Sequence, residues 1–419
     1  MSAPTGNVLF DSFAFHAREA ALVPLSRLAA DARASATMAL NQKTKELARK
    51  GVDVINLSIG EPDFDTPDNV KQAAVRAIQS GFTKYQPAAG LAELRRAIAD
   101  KLRAENAVRC EPAEVLVSNG GKQALYMIML SLVGPGDEVI VPAPYWVSYV
   151  QQVRFCGAEP VVADASGAED LKPTPAMIED VLTDRTRVLI LNSPSNPTGA
   201  VFSRRELEAF VELALKHDLW IISDEIYEKL VYDGAEHVSP ASFGDDARAK
   251  IVTLNGFSKT YAMTGWRIGW AAGPAQVIQA AARLQSHMTS GADSIAQKAA
   301  IEALAGSQDS VAEMRGAFDS RRRLMVDGLN RIAGLRCVVP QGAFYAFPDC
   351  RGLLGRSYGG AEVRTDVELC GALLEQANVA VVPGEEFGAP GFVRFHYAAS
   401  EEAIQKALTR VQAFAGAGK

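Results

Sequence analysis

The chain is poor in the residues that build metal centres and covalent cross-links. Its 419 residues include 5 histidines and 5 cysteines. Cys110, Cys156, Cys337, Cys350 and Cys370 are dispersed without a C-x-x-C, and the histidines do not cluster, so no metal site is expected. An odd, scattered set of thiols suits a reducing compartment. No apolar run approaches the ~20 residues of a membrane span. The first residues, M-S-A-P-T-G-N-V-L-F-D-S-F, show neither the basic start nor the apolar stretch of a signal peptide. A cytoplasmic protein with no membrane partner is the expectation. Charge of one sign is scarce too: 43 basic residues stand against 49 acidic ones, a net −6 without a long basic run, which argues against nucleic acid as a partner. No internal repeat or low-complexity tract is evident.

What the chain does have is a lysine in an unusual setting. Lys259 lies in L-N-G-F-S-K-T-Y-A-M-T-G-W-R-I-G-W, between an apolar strand and a Gly-rich bend, with Arg267 eight residues later. A lysine in a partly dry pocket loses its proton more readily and becomes an amine nucleophile able to form a Schiff base with a carbonyl. Arginine suits phosphate. An aldehyde partner and a phosphate partner together suggest pyridoxal phosphate, although a single lysine is most often a solvated surface group.

Three further segments bear on this. In D-L-W-I-I-S-D-E-I-Y-E-K-L a short buried strand, Leu219 to Ile222, leads to Asp224. The carboxyl end of such strands is where open α/β sheets bind ligands. A buried carboxylate there can keep a pyridine nitrogen protonated, the electron sink this chemistry needs; it can equally cap the next element. Tyr227, three residues on, shares a face with Asp224 if a helical turn starts here. In L-I-L-N-S-P-S-N-P-T-G, Asn196 offers a neutral amide on a Pro-rich loop, or an ordinary Asn-Pro turn. In E-V-L-V-S-N-G-G-K-Q-A-L-Y-M-I-M-L, a strand, two glycines and an amphipathic helix place free N–H groups where an anion would bind, without the G-x-G-x-x-G or Walker spacing.

These segments, with N-L-S-I-G-E-P-D-F-D-T-P, T-K-Y-Q-P-A-A-G-L-A-E-L-R, V-P-A-P-Y-W-V-S-Y, Q-G-A-F-Y-A-F and V-P-G-E-E-F-G, resemble the class I/II aminotransferases of pyridoxal phosphate fold type I, in the aspartate aminotransferase-like group. The matching stretches run from about Leu57 to Ser400, in the family's order and spacing. The resemblance implies that Lys259 forms the Schiff base, Asp224 pairs with the pyridine nitrogen, and Asn196 and Tyr227 serve the phenolic oxygen. Gly121, Lys122, Ser258 and Arg267 would surround the phosphate. Trp146 would stack on the ring, as against the commoner fate of a core aromatic. Tyr85 would reach the phosphate in a neighbouring subunit, which implies a homodimer. Gly60 would set its backbone beside the substrate, and Arg394, in G-F-V-R-F-H-Y, would grip the α-carboxylate in a bidentate pair. The alternating pattern around Arg394 predicts a half-buried strand. Many members carry Ser or Thr three residues before the lysine, where this chain has Gly256. The Ala143–Pro144 and Asn196–Pro197 bonds match positions often cis in relatives.

The implied reaction moves an amino group from an L-amino acid to a 2-oxo acid by a ping-pong route, with Lys259 as general base. Aspartate or glutamate is favoured. Lys122 and Arg33, in D-A-R-A-S-A-T, would face the distal carboxylate, although Arg33 can equally be a solvated helix residue. Aromatic or neutral amino acids, prephenate, and a lyase reaction on the same fold are the alternatives. A regulator using the fold as a sensor would need an added DNA-binding module, and about 20 extra N-terminal residues are too few for one.

The expected fold is α/β: a large domain with a mainly parallel sheet, seven-stranded by the resemblance, between helices, plus a smaller α+β domain. Residues 1–20 read as an extension and 21–66 as an arm packing with the small domain. Within the arm, 25–50 is rich in helix formers, with a break near Ser35 and Gly51 as C-cap. Residues 67–305 alternate helices with short apolar strands at Glu138–Val141, Pro160–Ala163, Val188–Leu191, Leu219–Ile222, Ile251–Leu254 and Ile268–Ala271. Residues 306–419 begin with a long charged helix and form the small domain.

Overall fold

The structure is a computed structural model that describes residues 25–31 and 36–419. Along the chain, α1 (Arg27–Asp31), α2 (Ala36–Arg49), β1 (Ile55–Asn56), α3 (Asp68–Gln79) and α4 (Ala92–Asn106) come first. Then follow β2 (Val115–Ser118), α5 (Gly121–Leu132), β3 (Glu138–Ala143), α6 (Ser148–Phe155), β4 (Glu159–Asp164), α7 (Pro175–Glu179), β5 (Thr186–Asn192), α8 (Arg204–Lys216) and β6 (Trp220–Asp224). Next are α9 (Asp245–Arg248), β7 (Ile251–Gly256), β8 (Gly269–Ala272), α10 (Ala275–Met288) and α11 (Ser294–Ala305). The C-terminal part holds α12 (Asp309–Asn330), β9 (Tyr345–Ala346), β10 (Arg356–Tyr358), β11 (Ala361–Val363), α13 (Asp366–Ala377), β12 (Val379–Ala380), β13 (Val382–Pro383), β14 (Val393–His396) and α14 (Glu401–Ala417).

Seven strands make one sheet in the order β2-β8-β7-β6-β5-β3-β4. The neighbours from β7 through β4 pair in parallel, and β8 runs antiparallel to both β7 and β2. The apolar runs of β3, β5, β6 and β7 follow from cover on both faces. Side chains alternate between two cores. Ile140, Leu189, Ile221 and Ile251 enter one; Val139, Val188, Ile222 and Val252 enter the other. A separate core gathers Ile55, Leu57, Phe318, Leu329, Phe395 and Ile404. There β1 pairs in parallel with β12, which ties residues 55–57 to the C-terminal part of the chain. Helix starts are set by local chemistry: Ser203 with Glu206 closes a reciprocal capping box at α8, and Thr365 with Glu368 does so at α13.

Each expected strand is present, and all six run one or two residues further at their carboxyl ends. Asn192, Asp224 and Gly256 carry ladder hydrogen bonds although their side chains break the apolar pattern that marks a strand in sequence. Arg394 sits on β14, whose four residues are all buried, not on the half-buried strand expected, because Tyr345 and Phe387 enclose it. Gly51 stands just past α2 at φ +82°. The expected break near Ser35, and Arg33, lie outside the described residues. Ala143–Pro144 and Asn196–Pro197 are cis, as is Ser193–Pro194.

Candidate active site

A cleft of about 490 Å³ opens at the carboxyl ends of β5, β6 and β7, beside the N-terminus of α5. That is the ligand edge of an open α/β sheet, and the volume lies in the range of small-molecule sites. Its lining brings together Gly60, Gly121, Lys122, Trp146, Asn196, Asp224, Tyr227, Ser258, Lys259, Arg267 and Arg394, residues spread over more than three hundred positions of chain. Tyr85 is not among them and is 94% exposed.

Lys259 stands in the turn after β7. Its ammonium donates to the Gly60 carbonyl. Burial lowers its pKa to about 8, with Arg394, Arg267 and Lys122 pushing the same way and Glu61 opposing. The neutral form of this amine, the one that attacks carbonyls, is therefore reached at lower pH than for a solvated lysine. Gly60 is glycine for a steric reason: a Cβ there would overlap the Tyr345 hydroxyl.

Asp224 closes β6. Burial raises its carboxyl to about 6, against the Tyr149 hydroxyl, which donates at 2.6 Å, and the Ile226 N–H at 3.3 Å. Among the described residues it forms no ion pair, although the Lys259 charge in the same cleft also favours its ionised form. Tyr227 follows on the turn and exchanges a hydrogen bond with Tyr345 across 2.7 Å between hydroxyls. Burial holds its phenol well above the usual range.

On the facing wall, Arg394 donates from Nη1 to Asn196 Oδ1 at 2.9 Å and from Nη2 to the Ser58 carbonyl at 2.6 Å. Its guanidinium lies 4.6 Å from the centre of the Tyr345 ring and 4.8 Å from that of Phe387. Its Nε is buried without a partner among the described residues. Since Asn196 spends its oxygen on Arg394, its amide nitrogen remains as a donor.

The phosphate-type end is built by close backbone approach. Gly120, at φ +82°, has Arg267 Nη2 2.5 Å from where a Cβ would be. Helix α5 then starts at Gly121 without a side-chain cap on its first N–H groups, and Gly121 and Lys122 line the cleft. Arg267 is held in the left-handed region, φ +53°, with Nη1 on the Thr264 carbonyl at 2.9 Å. Lys122 lies 4.9 Å over the Trp146 ring, and burial, then Arg267, lowers its pKa. Gly256 packs on backbone: a Cβ there would come within 3.1 Å of Gly269 Cα and 3.2 Å of the Ile268 carbonyl. Tyr149 and Tyr345 were not singled out in sequence. Tyr149 lies three residues after Trp146 at the start of α6, and that spacing was its signal.

Several cations, an N-terminal helix end, a buried acid with no ion-pair partner among the described residues and a lysine of lowered pKa define an α/β enzyme that handles an anionic ligand through an amine nucleophile. Comparison with known proteins narrows this. The profile of the family "Aminotransferase class I and II" matches residues 52–411. The chain is 48% identical over 392 residues to an aspartate/prephenate aminotransferase of Cereibacter sphaeroides, covering 93% of this chain and 98% of that protein. It is 47% identical over 390 residues to an aspartate aminotransferase of Geobacillus stearothermophilus, covering 93% and 98%. Among solved structures, the aspartate aminotransferase of Rhizobium meliloti superposes with TM-score 0.91 at 43% identity, covering 95% of this chain and all of that one. The Thermus thermophilus aspartate aminotransferase with maleate gives 0.88 at 46%, covering 94% and 100%. The chain belongs to the class I and II aminotransferase family, whose members work with pyridoxal phosphate, and its fold is that of fold type I.

Proposed function

We propose that this protein is a pyridoxal phosphate-dependent aminotransferase for dicarboxylic amino acids, aspartate first, acting as a homodimer. The observation that carries the reading is Asp224: a buried carboxyl at the ligand edge of the sheet, raised to about 6 and without an ion-pair partner among the described residues, is completed by a protonated ring nitrogen. The other donors fit the same group. Asn196 Nδ2 and the Tyr227 hydroxyl suit a phenolic oxygen; Gly121, Lys122, Ser258 and Arg267 suit a phosphate; Trp146 offers a ring face. When bound, the cofactor supplies an aldehyde carbon for amines and a ring that accepts the electron pair released at the substrate α-carbon.

The chain's own residues do the rest. Arg394 binds the α-carboxylate with the donors it has left, in a wall where Tyr345 and Phe387 keep water away. Lys259 Nζ, neutral in part, is placed to take the proton from the substrate α-carbon and to deliver it two atoms along, to the carbon that would lie beyond the amino nitrogen. Asp224 holds negative charge where the ring needs a proton kept. Lys122, reaching over Trp146, is the cation for a distal carboxylate, and Arg33 is the further candidate. The relatives named for aspartate, and for aspartate and prephenate, support dicarboxylic substrates. The full exposure of Tyr85 supports its service to a second subunit's site. A separate core drawn mostly from residues after 306, with Ile55, Leu57, Tyr227, Leu230 and Tyr232 packed into it, supports a division into a cofactor-binding unit, 67–305, and a smaller unit, 306–419.

The test is a half-reaction on cofactor-loaded protein. Excess aspartate should bleach the visible absorbance and yield pyridoxamine phosphate and oxaloacetate; phenylalanine should do so far more slowly. Bleaching by phenylalanine alone would move the assignment to aromatic substrates, and release of ammonia with fumarate, or of carbon dioxide with alanine, would move it to a lyase.

A further inference from the structure

Behind the turn that carries Asp224 and Tyr227 lies a buried polar cluster whose residues do not line the cleft. The turn presents residues to both sides: Asp224, Ile226 and Tyr227 line the cleft, while Glu225 and Glu228 do not. The latter two are buried, at 1% and 7% exposure. Glu225 Oε1 accepts from Ser223 and Ser239, each at 2.8 Å, and Oε2 accepts from His237 Nε2 at 3.0 Å. Glu228 pairs with Lys101 of α4 and accepts from Asn106 at 2.9 Å. Burial alone would raise the Glu228 carboxyl, yet Lys101 and His237 hold it at about 2. The carboxylates and His237 have ligand atoms within 4.8 Å of one another, close enough for a metal ion, but Lys101 already supplies the cation there.

The chain between Glu225 and His237 makes an excursion onto the C-terminal part of the molecule. Val231 bridges Gly342, the Tyr232 N–H donates to the Gln341 carbonyl at 2.9 Å, and Asp233 pairs with Arg322 at 2.7 Å. Glu225 with His237 and Ser239 therefore closes the base of a loop whose outer end is fixed beside Tyr345.

We propose, resting on the cofactor reading above, that the Glu225–His237 clasp is a positioning pair: it fixes the turn so that Asp224 and Tyr227 stay aimed at the cofactor. Glu225 and Asp224 are consecutive at a strand end and point to opposite sides, so releasing one lets the turn rotate and carries the other with it. Buried, hydrogen-bonded supports of this kind set the aim of the groups they hold.

The test uses full-length protein with His237→Ala, Glu225→Ala and Glu225→Gln. Folding is checked by circular dichroism and urea midpoint of the apoprotein, and Ser239→Ala replaces any variant that fails to fold. The readouts are the pyridoxal phosphate dissociation constant, followed by absorbance, and the split of kcat from KM. His237→Ala and Glu225→Ala should weaken cofactor binding about tenfold or more, the scale known for outer partners of metal ligands. The factor kcat should fall, with KM for aspartate little changed because Arg394 is untouched. Gln keeps an acceptor for the serines, so Glu225→Gln should recover most of the affinity lost in Glu225→Ala. Unchanged cofactor affinity in the folded alanine variants overturns the proposal, as does a loss confined to KM. If the wild-type protein itself takes up no pyridoxal phosphate, the functional reading falls and the clasp's purpose with it.

Discussion

Tyr149 donates its hydroxyl hydrogen to Asp224 across 2.6 Å, and both residues are buried. The bond favours the charged carboxylate, working against the burial that raises Asp224 to about 6. Tyr149→Phe removes that donor and leaves shape nearly intact. A hydrogen bond to a charged group contributes about 1.5–3 kcal/mol. The substitution should therefore weaken pyridoxal phosphate binding and lower kcat by roughly tenfold to a hundredfold. Absorbance titration with the cofactor and steady-state rates measure both; wild-type values in each would assign Tyr149 a packing role alone.

Gly256 stands where many relatives place a hydroxyl residue. Restoring that residue should not help. A Cβ at 256 would meet Gly269 Cα at 3.1 Å, the Ile268 carbonyl at 3.2 Å and Ile226 Cδ1 at 3.3 Å, two of them backbone atoms that cannot turn aside. Gly256→Ser should destabilise the fold by about 1–3 kcal/mol, the usual cost of overpacking. Cofactor affinity should stay level or fall. A urea denaturation series and a cofactor titration decide it, and a variant with tighter cofactor binding at unchanged stability would refute the steric account.

Much of the cleft was legible in sequence because its chemistry is carried by short motifs at strand ends. Lys259, Asp224, Asn196 and Gly121 each follow an apolar run, so local pattern located them. Groups that act through distant partners were harder to see. Tyr149 meets Asp224 75 positions away, and Tyr227 meets Tyr345 118 positions away; nothing local in Q-G-A-F-Y-A-F marks that hydroxyl as the reason for Gly60. The same holds for burial. Arg394 reads as half-buried from the alternation around it, whereas the enclosing rings come from Tyr345 and from Phe387 in a different segment. The strand ends were drawn short because Asn192, Asp224 and Gly256 keep the backbone ladder while abandoning the apolar pattern.

Arg394 is held by Asn196 and Ser58 and stacked between aromatic faces, an arrangement a lysine cannot copy. Lysine has no planar fork and is a more strongly hydrated point charge. Arg394→Lys should raise KM for aspartate by at least about thirtyfold, within the 2–5 kcal/mol lost when a buried charge pair is broken. Cofactor binding should change little, since Asp224 and Arg267 are untouched. Steady-state kinetics with aspartate and a cofactor titration separate the two; an unchanged KM would remove Arg394 from the carboxylate site.

Lys259 gives the pH dependence. Its folded pKa is near 8, below its ordinary 10.5, mainly through burial. In the apoprotein, below about pH 8 both folded and unfolded chains hold the proton, and the full penalty of a half-buried ammonium weighs on the fold. Between about 8 and 10.5 the unfolded chain keeps its proton while the folded one has lost it, so stability rises with pH through that window. Lys259→Met should thus stabilise the apoprotein at pH 7 by on the order of 1–2 kcal/mol, discounted because the cleft admits water. The advantage should shrink as pH climbs past 8 and vanish above 10.5. The same ionisation should govern cofactor capture: the rate at which apoprotein takes up pyridoxal phosphate should rise about tenfold per pH unit below 8 and level off above it, as expected for attack by the neutral amine. Stopped-flow absorbance across pH 6 to 10, at roughly constant ionic strength so that screening stays fixed, records that profile. A flat profile, or a stability difference that does not close at high pH, would show that Lys259 is not a desolvated amine.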